Sequence, residues 1–305
     1  MTQEKRKYAV VDLEATSASS NAKIIQVGIV IIENSQIVKT YETDVNPHEK
    51  LTSHIRQLTG LTDKRLRRAP DFSQVAREIY ELIEDAIFVA HNVKFDANLL
   101  AEALFWEGFE LVTPRVDTVE LAQVFFPMFE KYNLGILCEQ LDIPLKHAHT
   151  ALADASATAT LFLKIQEKIQ KLPKELVEYL LKFSDSLIYE SRLAIEDAFN
   201  QMSDITFHDL MKRQGIFLRK SKKIKKARKL SQNFQHNINL LDLEERKEQD
   251  KFAHDVEQAL KSQQPSFLQA QTGLGKTYGY LLPALAQTGK QILVTVPTKV
   301  LQDQI

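Results

Sequence analysis

The stretch Val10-Val11-Asp12-Leu13-Glu14-Ala15-Thr16 places two carboxylates on an otherwise apolar strand. Side chains at positions i and i+2 of a strand share a face, so Asp12 and Glu14 project together from a segment, residues 8–13, that is predicted to be buried. Two anions this close repel one another, and an unpaired buried charge is costly. The pair therefore predicts half of a metal site whose other ligands lie elsewhere in the chain.

Length and composition are those of an ordinary globular protein of roughly two domains. The 305 residues are 44% hydrophobic and 26% charged, with a formal net charge of -1. No global field therefore attracts nucleic acid, and any basic patch must be local. The single cysteine, Cys138, fits a reducing compartment, and the sequence shows neither a signal peptide nor a membrane-spanning apolar run. We expect a cytoplasmic protein with no membrane contact.

The order of predicted elements indicates an α/β fold. Strands at 8–13, 24–32 and 36–45, joined by short connections, predict an antiparallel meander. Later strands at 86–90 and 112–116 alternate with helices, which are predicted at 52–61, 72–83, 96–106, 118–126, 134–141 and 152–169. A meander followed by alternating strands and helices predicts a mixed sheet with helices on both faces.

Three segments are expected along the chain. We place residues 1–171 in the first domain, 172–239 in a helical and basic linker, and 240–305 in a second domain, with a helical pattern from 172 to about 218. Residues 219–229 contain eight basic side chains in eleven. Such a run suits a solvated linker or contact with nucleic acid, because clustered cations release counterions from phosphates. No aromatic residue interrupts the run, so base stacking is not predicted there.

Two further acids occupy positions that suit a metal site. Asp96 ends the sequence His91-Asn92-Val93-Lys94-Phe95-Asp96 after a predicted strand, and Asp154 ends His149-Thr150-Ala151-Leu152-Ala153-Asp154 at a predicted helix start. Taken singly, each aspartate is most simply a helix cap. Together, the four carboxylates offer the oxygen ligands that Mg²⁺ or Mn²⁺ prefers. Two such ions ~3.5–4 Å apart activate water for phosphodiester hydrolysis, and His149 can take its proton.

These motifs resemble those of the DEDD exonuclease superfamily, the DnaQ-like proofreading exonucleases, in the subclass with a histidine in the third motif. Asp12 and Glu14 match the first motif, Asp96 the second, and His149 with Asp154 the third. The resemblance implies a ribonuclease H-like fold, two Mg²⁺ or Mn²⁺ ions, and 3'-5' removal of nucleotides from single-stranded DNA ends.

The same resemblance implies roles for individual residues. It places Asp12 between both ions, Glu14 and Asp154 on the ion that holds the nucleophile, and Asp96 on the other ion, partly through water. Contact with the nucleic acid is expected at three further positions, namely Thr16, His91 and Asn92.

A second chemical signal is the phosphate-binding loop Ala270-Gln271-Thr272-Gly273-Leu274-Gly275-Lys276-Thr277, placed between a predicted strand at 267–270 and a helix. Backbone N–H groups of such a loop bind phosphates, with the lysine on the terminal phosphates and the threonine on Mg²⁺. A glycine-rich turn without a nucleotide is the alternative. Residues 246–249 resemble the adenine-reading Q motif of superfamily-2 helicases, and 297–304 resemble motif Ia, after a strand at 292–296. The predicted ATP contacts are Arg246, Gln249, Gly273, Gly275, Lys276 and Thr277.

The order of exonuclease, linker and helicase opening resembles the DinG-type helicase/exonuclease proteins of low-GC Gram-positive bacteria. This implies a partial RecA-like P-loop NTPase segment that binds ATP with Mg²⁺. These 305 residues lack the acid that would hold Mg²⁺ for hydrolysis and the second motor lobe, so neither ATP hydrolysis nor unwinding is expected of them. The expected function is a 3'-5' exonuclease on single-stranded DNA. An exoribonuclease acting on RNA ends and a non-catalytic fragment that binds DNA and ATP are the alternatives.

Overall fold

The computed structural model describes residues 6–19, 21–145, 148–203, 210–214, 216–220, 230–231, 233–262, 264–287 and 292–303. The chain separates into two compact units, Met1–Phe217 and Leu218–Ile305. Residues 221–229, most of the basic run, lie outside the described residues. Within the described ranges, no helix combines the length and the apolar content that a membrane crossing requires.

The first unit is built on a five-stranded mixed sheet with the strand order β3-β2-β1-β4-β5. Strands β1 (Lys7–Ala15), β2 (Ile24–Glu33) and β3 (Gln36–Asp44) form the expected antiparallel meander, whereas β4 (Ile87–Ala90) and β5 (Arg115–Asp117) run parallel to β1. Because β1 is central and both faces of the sheet are covered, its apolar side chains are buried on either side. The predicted mixed sheet is confirmed.

Four helices precede or follow β4 in the chain. Two short ones, α1 (Ser53–Thr59) and α2 (Asp63–Leu66), enclose a small core around Ile25. The longer α3 (Phe72–Ile83) and α4 (Val93–Trp106) pack on alternate residues of β1, which are Ala9, Val11 and Leu13. Helix α4 begins shortly after β4 ends, so its first turn lies at the edge of the sheet.

The opposite face carries the other alternate residues of β1, Tyr8 and Val10. Helices α5 (Thr118–Phe125), α6 (Leu134–Gln140) and α7 (Ala151–Gln170) cover this face. The long α7 contributes the largest share of its core, with side chains such as Leu161 and Phe162 fully buried. Both layers of the sheet are therefore filled by helices, as the order of elements predicts.

The structure differs from the expected linker at residue 172. Helices α8 (Lys174–Leu181) and α9 (Arg192–Asn200) pack against the core of the first unit. On α9, Asp197 accepts hydrogen bonds from the Tyr8 hydroxyl (2.5 Å) and the Arg6 guanidinium (2.8 Å). The apolar side chains that these helices bury are Val177, Ala194, Ile195 and Ala198. A helical pattern alone does not separate a linker helix from a packed one, so the sequence contained no signal for this docking.

The helical pattern expected up to residue 218 is wrong at its end. Strands β6 (Leu210–Arg213) and β7 (Ile216–Arg219) form a two-stranded sheet. Between them, Gln214 has a φ of 50°. This left-handed conformation is incompatible with a continuing right-handed helix.

The second unit contains α10 (Phe234–Leu240), α11 (Lys247–Ser262), α12 (Lys276–Ala286) and α13 (Lys299–Asp303). The strands predicted at 267–270 and 292–296 are irregular here. A strand requires ladder hydrogen bonds to a neighbour, and within the described residues neither segment has one. Their apolar side chains are accordingly exposed, as at Phe267 and Leu293.

Candidate metal centre and phosphate loop

The two carboxylates of β1 lie near the end of the central strand. In the antiparallel register with β2, Asp12 lies opposite Gly28 and Glu14 lies opposite Gln26. Directly opposed residues of neighbouring strands share a face, so all four positions belong to the side of the sheet that α7 covers. The carboxylates are thus presented toward the beginning of α7.

Gly28 lets the first turn of α7 touch the sheet. A Cβ atom at this position would lie 2.3 Å from the carbonyl carbon and oxygen of Ala151. Beside it, the buried Gln26 accepts a hydrogen bond from the Ala151 backbone N–H through Oε1 (2.9 Å), and its Nε2 donates to Asp44 (2.9 Å). These contacts fix the start of the helix that carries Asp154. Neither residue was predicted as part of the site, although a glutamine and a glycine in an otherwise apolar strand were the available signal.

The third motif brings a histidine and an acid to Glu14. One ligand atom from each of Glu14, His149 and Asp154 lies within 4.8 Å of the other two. Asp154 Oδ2 accepts a hydrogen bond from the backbone N–H of His149 (3.0 Å), which has a left-handed φ of 69°. Asp154 Oδ1 is buried and has no hydrogen-bond partner among the described residues. A buried carboxylate oxygen without a donor is rare and fits a site for a cation.

Asp96 approaches the same centre from the other side of the sheet. It lies in the first turn of α4, is 6% exposed, and its Oδ1 accepts a hydrogen bond from the Leu13 backbone N–H (3.0 Å). Leu13 separates Asp12 from Glu14 in β1. This single bond therefore holds the helix against the strand between the two carboxylates.

The four carboxyl groups share one electrostatic environment. Burial raises the pKa of Glu14 to about 7, and the charge of Asp154 adds to the shift. Burial also raises the pKa of Asp96 to about 7, against the opposing bond from Leu13. The pKa of Asp12 is raised well above its ordinary value by burial, then by Asp96, Asp154 and Glu14, and burial raises the pKa of Asp154. Repelling oxygen donors in one cluster are the donor set that hard divalent cations neutralise.

The stability of the folded protein should depend on pH, and the effect of a divalent metal on that stability should depend on pH as well. In EDTA, we expect the free energy of unfolding to fall as pH rises from about 5 to about 8, because raised folded-state pKa values favour the protonated carboxyls. That stabilisation is lost as pH passes the pKa of about 7 of Glu14 and Asp96. Mn²⁺ then replaces the protons, so it should raise the melting temperature more at pH 8 than at pH 5.5. Thermal unfolding at both pH values measures this, and equal stabilisation by Mn²⁺ would contradict it.

His91 is held by contacts inside the fold. Its Nε2 lies 2.8 Å from the Tyr132 carbonyl oxygen and its Nδ1 lies 2.9 Å from the Thr118 hydroxyl. Burial lowers the pKa of His91 and so favours the neutral ring. Since a carbonyl only accepts, Nε2–H donates to Tyr132 and Nδ1 accepts from Thr118. Both ring nitrogens are engaged, so His91 links the end of β4 to Thr118 in α5 and to the Tyr132 backbone.

The other expected nucleic-acid contacts lie at the same edge of the sheet. Thr16 follows β1, and its hydroxyl accepts a hydrogen bond from the Lys23 backbone N–H (3.1 Å). Asn92 has an exposed side chain and a φ of 72° at the start of α4. Its backbone N–H donates to the buried Asp117 (3.1 Å), which also caps α5 through Val119 N–H (2.8 Å). Asp117 was not among the residues predicted from the sequence.

In the second unit, two glycines shape the phosphate loop. Gly273 and Gly275 have φ values of 86° and 81°, and Gly275 caps the N-terminus of α12. Gln249 donates from Nε2 to the Gly275 carbonyl (2.7 Å), and a Cβ atom on Gly275 would lie 2.3 Å from that nitrogen. Arg246 donates to the Gly273 carbonyl (2.9 Å). The residues of the expected Q motif therefore contact the loop directly.

The lysine and threonine of the loop lie in the first turn of α12. Lys276 Nζ donates to the carbonyl oxygens of Ala270 (3.2 Å) and Gln271 (3.1 Å), and Thr277 is half-buried. The Lys276 side chain is exposed, and the hydrogen-bond partners of its Nζ among the described residues are these two neutral oxygens. A phosphate bound at this helix N-terminus carries a full negative charge, so it would compete with these carbonyl oxygens for the Lys276 ammonium group.

Both units have similarity to known protein families. The exonuclease family matches residues 9–162, and the DEAD/DEAH box helicase family matches residues 247–305. The protein named 3'-5' exonuclease DinG of Bacillus subtilis (strain 168) is 31% identical over 320 residues, which cover 99% of this chain and 34% of that protein. Its namesake in Staphylococcus aureus (strain USA300) is 34% identical over 315 residues, covering 98% and 34%. The chain thus spans about a third of the length of these relatives.

Solved structures share the fold at low identity. The zinc-bound E. coli exonuclease I–single-stranded DNA complex has a TM-score of 0.52 and 15% identity, covering 59% of this chain and 43% of that one. The same enzyme with a dT13 oligonucleotide has a TM-score of 0.51 and 15% identity, covering 57% and 43%. These similarities confirm the ribonuclease H-like architecture. Because the exonuclease match alone takes in half of the sequence, this protein belongs to the exonuclease family, and its residues 247–305 are similar to the DEAD/DEAH box helicase family.

Proposed function

We propose that the chain is a two-metal-dependent 3'-5' exonuclease that hydrolyses phosphodiester bonds at the 3' ends of single-stranded DNA. The observation that carries the proposal is the convergence of Glu14, His149 and Asp154, together with the buried Asp154 Oδ1, which accepts no hydrogen bond from the described residues. Asp12 and Asp96 add two more acids to the same electrostatic cluster. The relatives named 3'-5' exonuclease DinG support the polarity of cleavage.

The residues of the centre divide the chemical work. Asp12, Glu14, Asp96 and Asp154 would hold two Mg²⁺ or Mn²⁺ ions, which supply charge stabilisation and an acidified water when bound. His149, exposed beside Glu14 and Asp154, takes the proton of the attacking water. The water oxygen forms a bond to phosphorus, the bond from phosphorus to the 3' oxygen breaks, and that oxygen takes a proton from solvent. The products are a nucleoside 5'-monophosphate and a strand shortened by one nucleotide.

Two residues next to the acids are suited to hold the terminal nucleotide. Thr16 lies two positions beyond Glu14, and Asn92 begins the helix that carries Asp96. Both therefore lie at the sheet edge where the carboxylates converge. The exposed amide of Asn92 and the hydroxyl of Thr16 offer donors for the sugar or base of the last nucleotide.

The nuclease proposal is tested with 5'-labelled single strands of DNA and RNA in Mn²⁺. The wild-type protein should shorten DNA from its 3' end, and His149→Ala should lower the rate by about 10²–10⁴-fold because the general base is lost. His236→Ala, an exposed histidine in the second unit, is the matched control. Shortening of RNA alone would favour an exoribonuclease. Binding without shortening, or equal decay by His149→Ala, would refute the proposal.

We further propose that the phosphate loop binds ATP with Mg²⁺, with Lys276 on the terminal phosphates, Thr277 on the ion, and Arg246 and Gln249 supporting the loop. The exposed Lys276 ammonium at the start of α12 supports this assignment. Titration calorimetry with ATP should give saturable binding that Lys276→Ala abolishes. Lys261→Ala, which removes an exposed lysine paired with Glu257, should bind ATP like the wild type. Identical binding by Lys276→Ala would contradict the assignment.

A further inference from the structure

A concentrated positive surface lies on α1 and α2. In a chain whose net charge is -1, this part of the first unit presents five exposed cations, here called the cationic face: Arg56, Lys64, Arg65, Arg67 and Arg68. Asp63 pairs with Arg56 (3.1 Å), and Asp44 pairs with Arg65. Lys64 and Arg68 have no carboxylate within salt-bridge distance among the described residues. The face therefore keeps a net positive charge.

Strand register places the cationic face close to the metal centre. Glu14 on β1 lies opposite Gln26 on β2, and Gln26 lies opposite Asp44 on β3. Neighbouring strands are ~4.8 Å apart, so Asp44 lies about 10 Å from Glu14 across the sheet. Arg65 on α2 donates from Nη2 to Asp44 Oδ1 (2.7 Å). The cationic face thus begins two strands away from the acids.

The same contacts fix the position of α2 relative to α7, the helix that carries Asp154. Asp44 Oδ1 accepts from both Arg65 and Gln26, and Gln26 accepts from the first residue of α7, Ala151. A continuous set of hydrogen bonds therefore joins the cationic face to the start of the helix that carries Asp154. Through Arg65, α2 is therefore tied to the start of α7.

The chemistry of the face indicates its ligand. Guanidinium and ammonium groups recognise phosphate oxygens irrespective of base sequence. Residues 50–69 contain no phenylalanine, tyrosine or tryptophan. Stacking of bases on aromatic side chains is therefore not expected on this face. We propose that the cationic face binds the sugar-phosphate backbone of the substrate strand, upstream of the 3'-terminal nucleotide. This inference rests on the proposed exonuclease function, because the strand that binds the cationic face is the exonuclease substrate.

The test compares a long substrate with one that occupies the metal centre alone. The triple variant Lys64→Ala, Arg67→Ala, Arg68→Ala leaves Arg65 and its bond to Asp44 intact. The substrates are a labelled single-stranded oligonucleotide and a nitrophenyl ester of a nucleotide. We expect the ratio of kcat/KM for the oligonucleotide to kcat/KM for the ester to fall several-fold. The salt dependence of oligonucleotide binding, measured by fluorescence anisotropy in EDTA, should weaken by about 0.7 in log–log slope per lost contact.

The matched control removes three exposed lysines elsewhere on the first unit: Lys39→Ala, Lys171→Ala, Lys182→Ala. It makes the same change in net charge and should leave both the activity ratio and the salt slope as in the wild type. An unchanged slope in the cationic-face variant, or an equal change in the control, overturns the inference. If the wild type hydrolyses neither substrate, the exonuclease proposal fails, whereas the binding slope still decides for or against the cationic face. The double variant Lys64→Ala, Arg68→Ala repeats the measurement with only the unpaired cations removed.

Discussion

Replacing Asp12 by asparagine should lower the exonuclease rate by at least about 10²–10³-fold, the loss typical of removing one preorganised electrostatic group. The same change should stabilise the metal-free protein at pH 8. Burial raises the pKa of Asp12, and the charges of Asp96, Asp154 and Glu14 add to the shift. Removing one of four repelling carboxylates reduces the electrostatic repulsion in the folded state when no cation is bound.

Both effects are measured on one preparation. End-labelled DNA degradation in Mn²⁺ gives the rate, and thermal unfolding in EDTA gives a melting temperature that should rise by a few degrees, at about 2–4 °C for each kcal/mol. Asp85→Asn is the matched control, because Asp85 is exposed and pairs with Lys7 at the opposite end of β1. A variant that loses activity but also melts below the wild type in EDTA would show that Asp12 is structural, and the repulsion argument would fail.

The second large effect is expected at Gly28. In Gly28→Ala, the new Cβ atom would lie 2.3 Å from the Ala151 carbonyl group and 2.5 Å from the Leu152 nitrogen. Backbone atoms cannot rotate away as a side chain does, so α7 must shift from the sheet at a cost of about 1–3 kcal/mol. Asp154 moves with the helix, and a displacement near 1 Å lowers an enzyme rate by about 10²-fold. Thermal unfolding and the exonuclease assay measure the two losses.

A glycine without neighbours provides the comparison. Gly135 lies in α6, and an added Cβ atom there would have no heavy atom within 4 Å outside its own helix turn. Gly135→Ala should leave activity unchanged and stabilise the fold by about 0.5–1 kcal/mol through helix propensity. Should Gly28→Ala match Gly135→Ala in stability and rate, α7 would not depend on close contact with β2.

Local patterns in the sequence were sufficient for most of the first unit. The two-residue spacing of Asp12 and Glu14 in an apolar strand predicts their common face, and the register with β2 agrees with it. Asp96 and Asp154 were placed at helix starts because each follows a polar motif after an apolar strand or turn. Both lie in the first turn of a helix. Periodicity works here because each element has one clearly apolar face.

Features that depend on distant partners were not predictable in this way. The bond from Gln26 to Ala151 joins residues 125 positions apart, and no local pattern encodes it. His91 belongs to a motif, yet Thr118 and Tyr132 engage its ring. The strands expected at 267–270 and 292–296 require ladder partners, which the described residues do not provide. Long-range pairing, rather than propensity, decides each of these cases.

The docking of α9 on the central strand bears on how the nuclease can be isolated. Asp197 binds both Tyr8 and Arg6, and Ala194 and Ala198 are completely buried. A recombinant fragment cut after residue 171 would remove Asp197 from Tyr8 and Arg6 and expose the apolar surface of α7 on which α9 packs. The shortest fragment suited to expression and crystallisation accordingly extends beyond α9, to about residue 203.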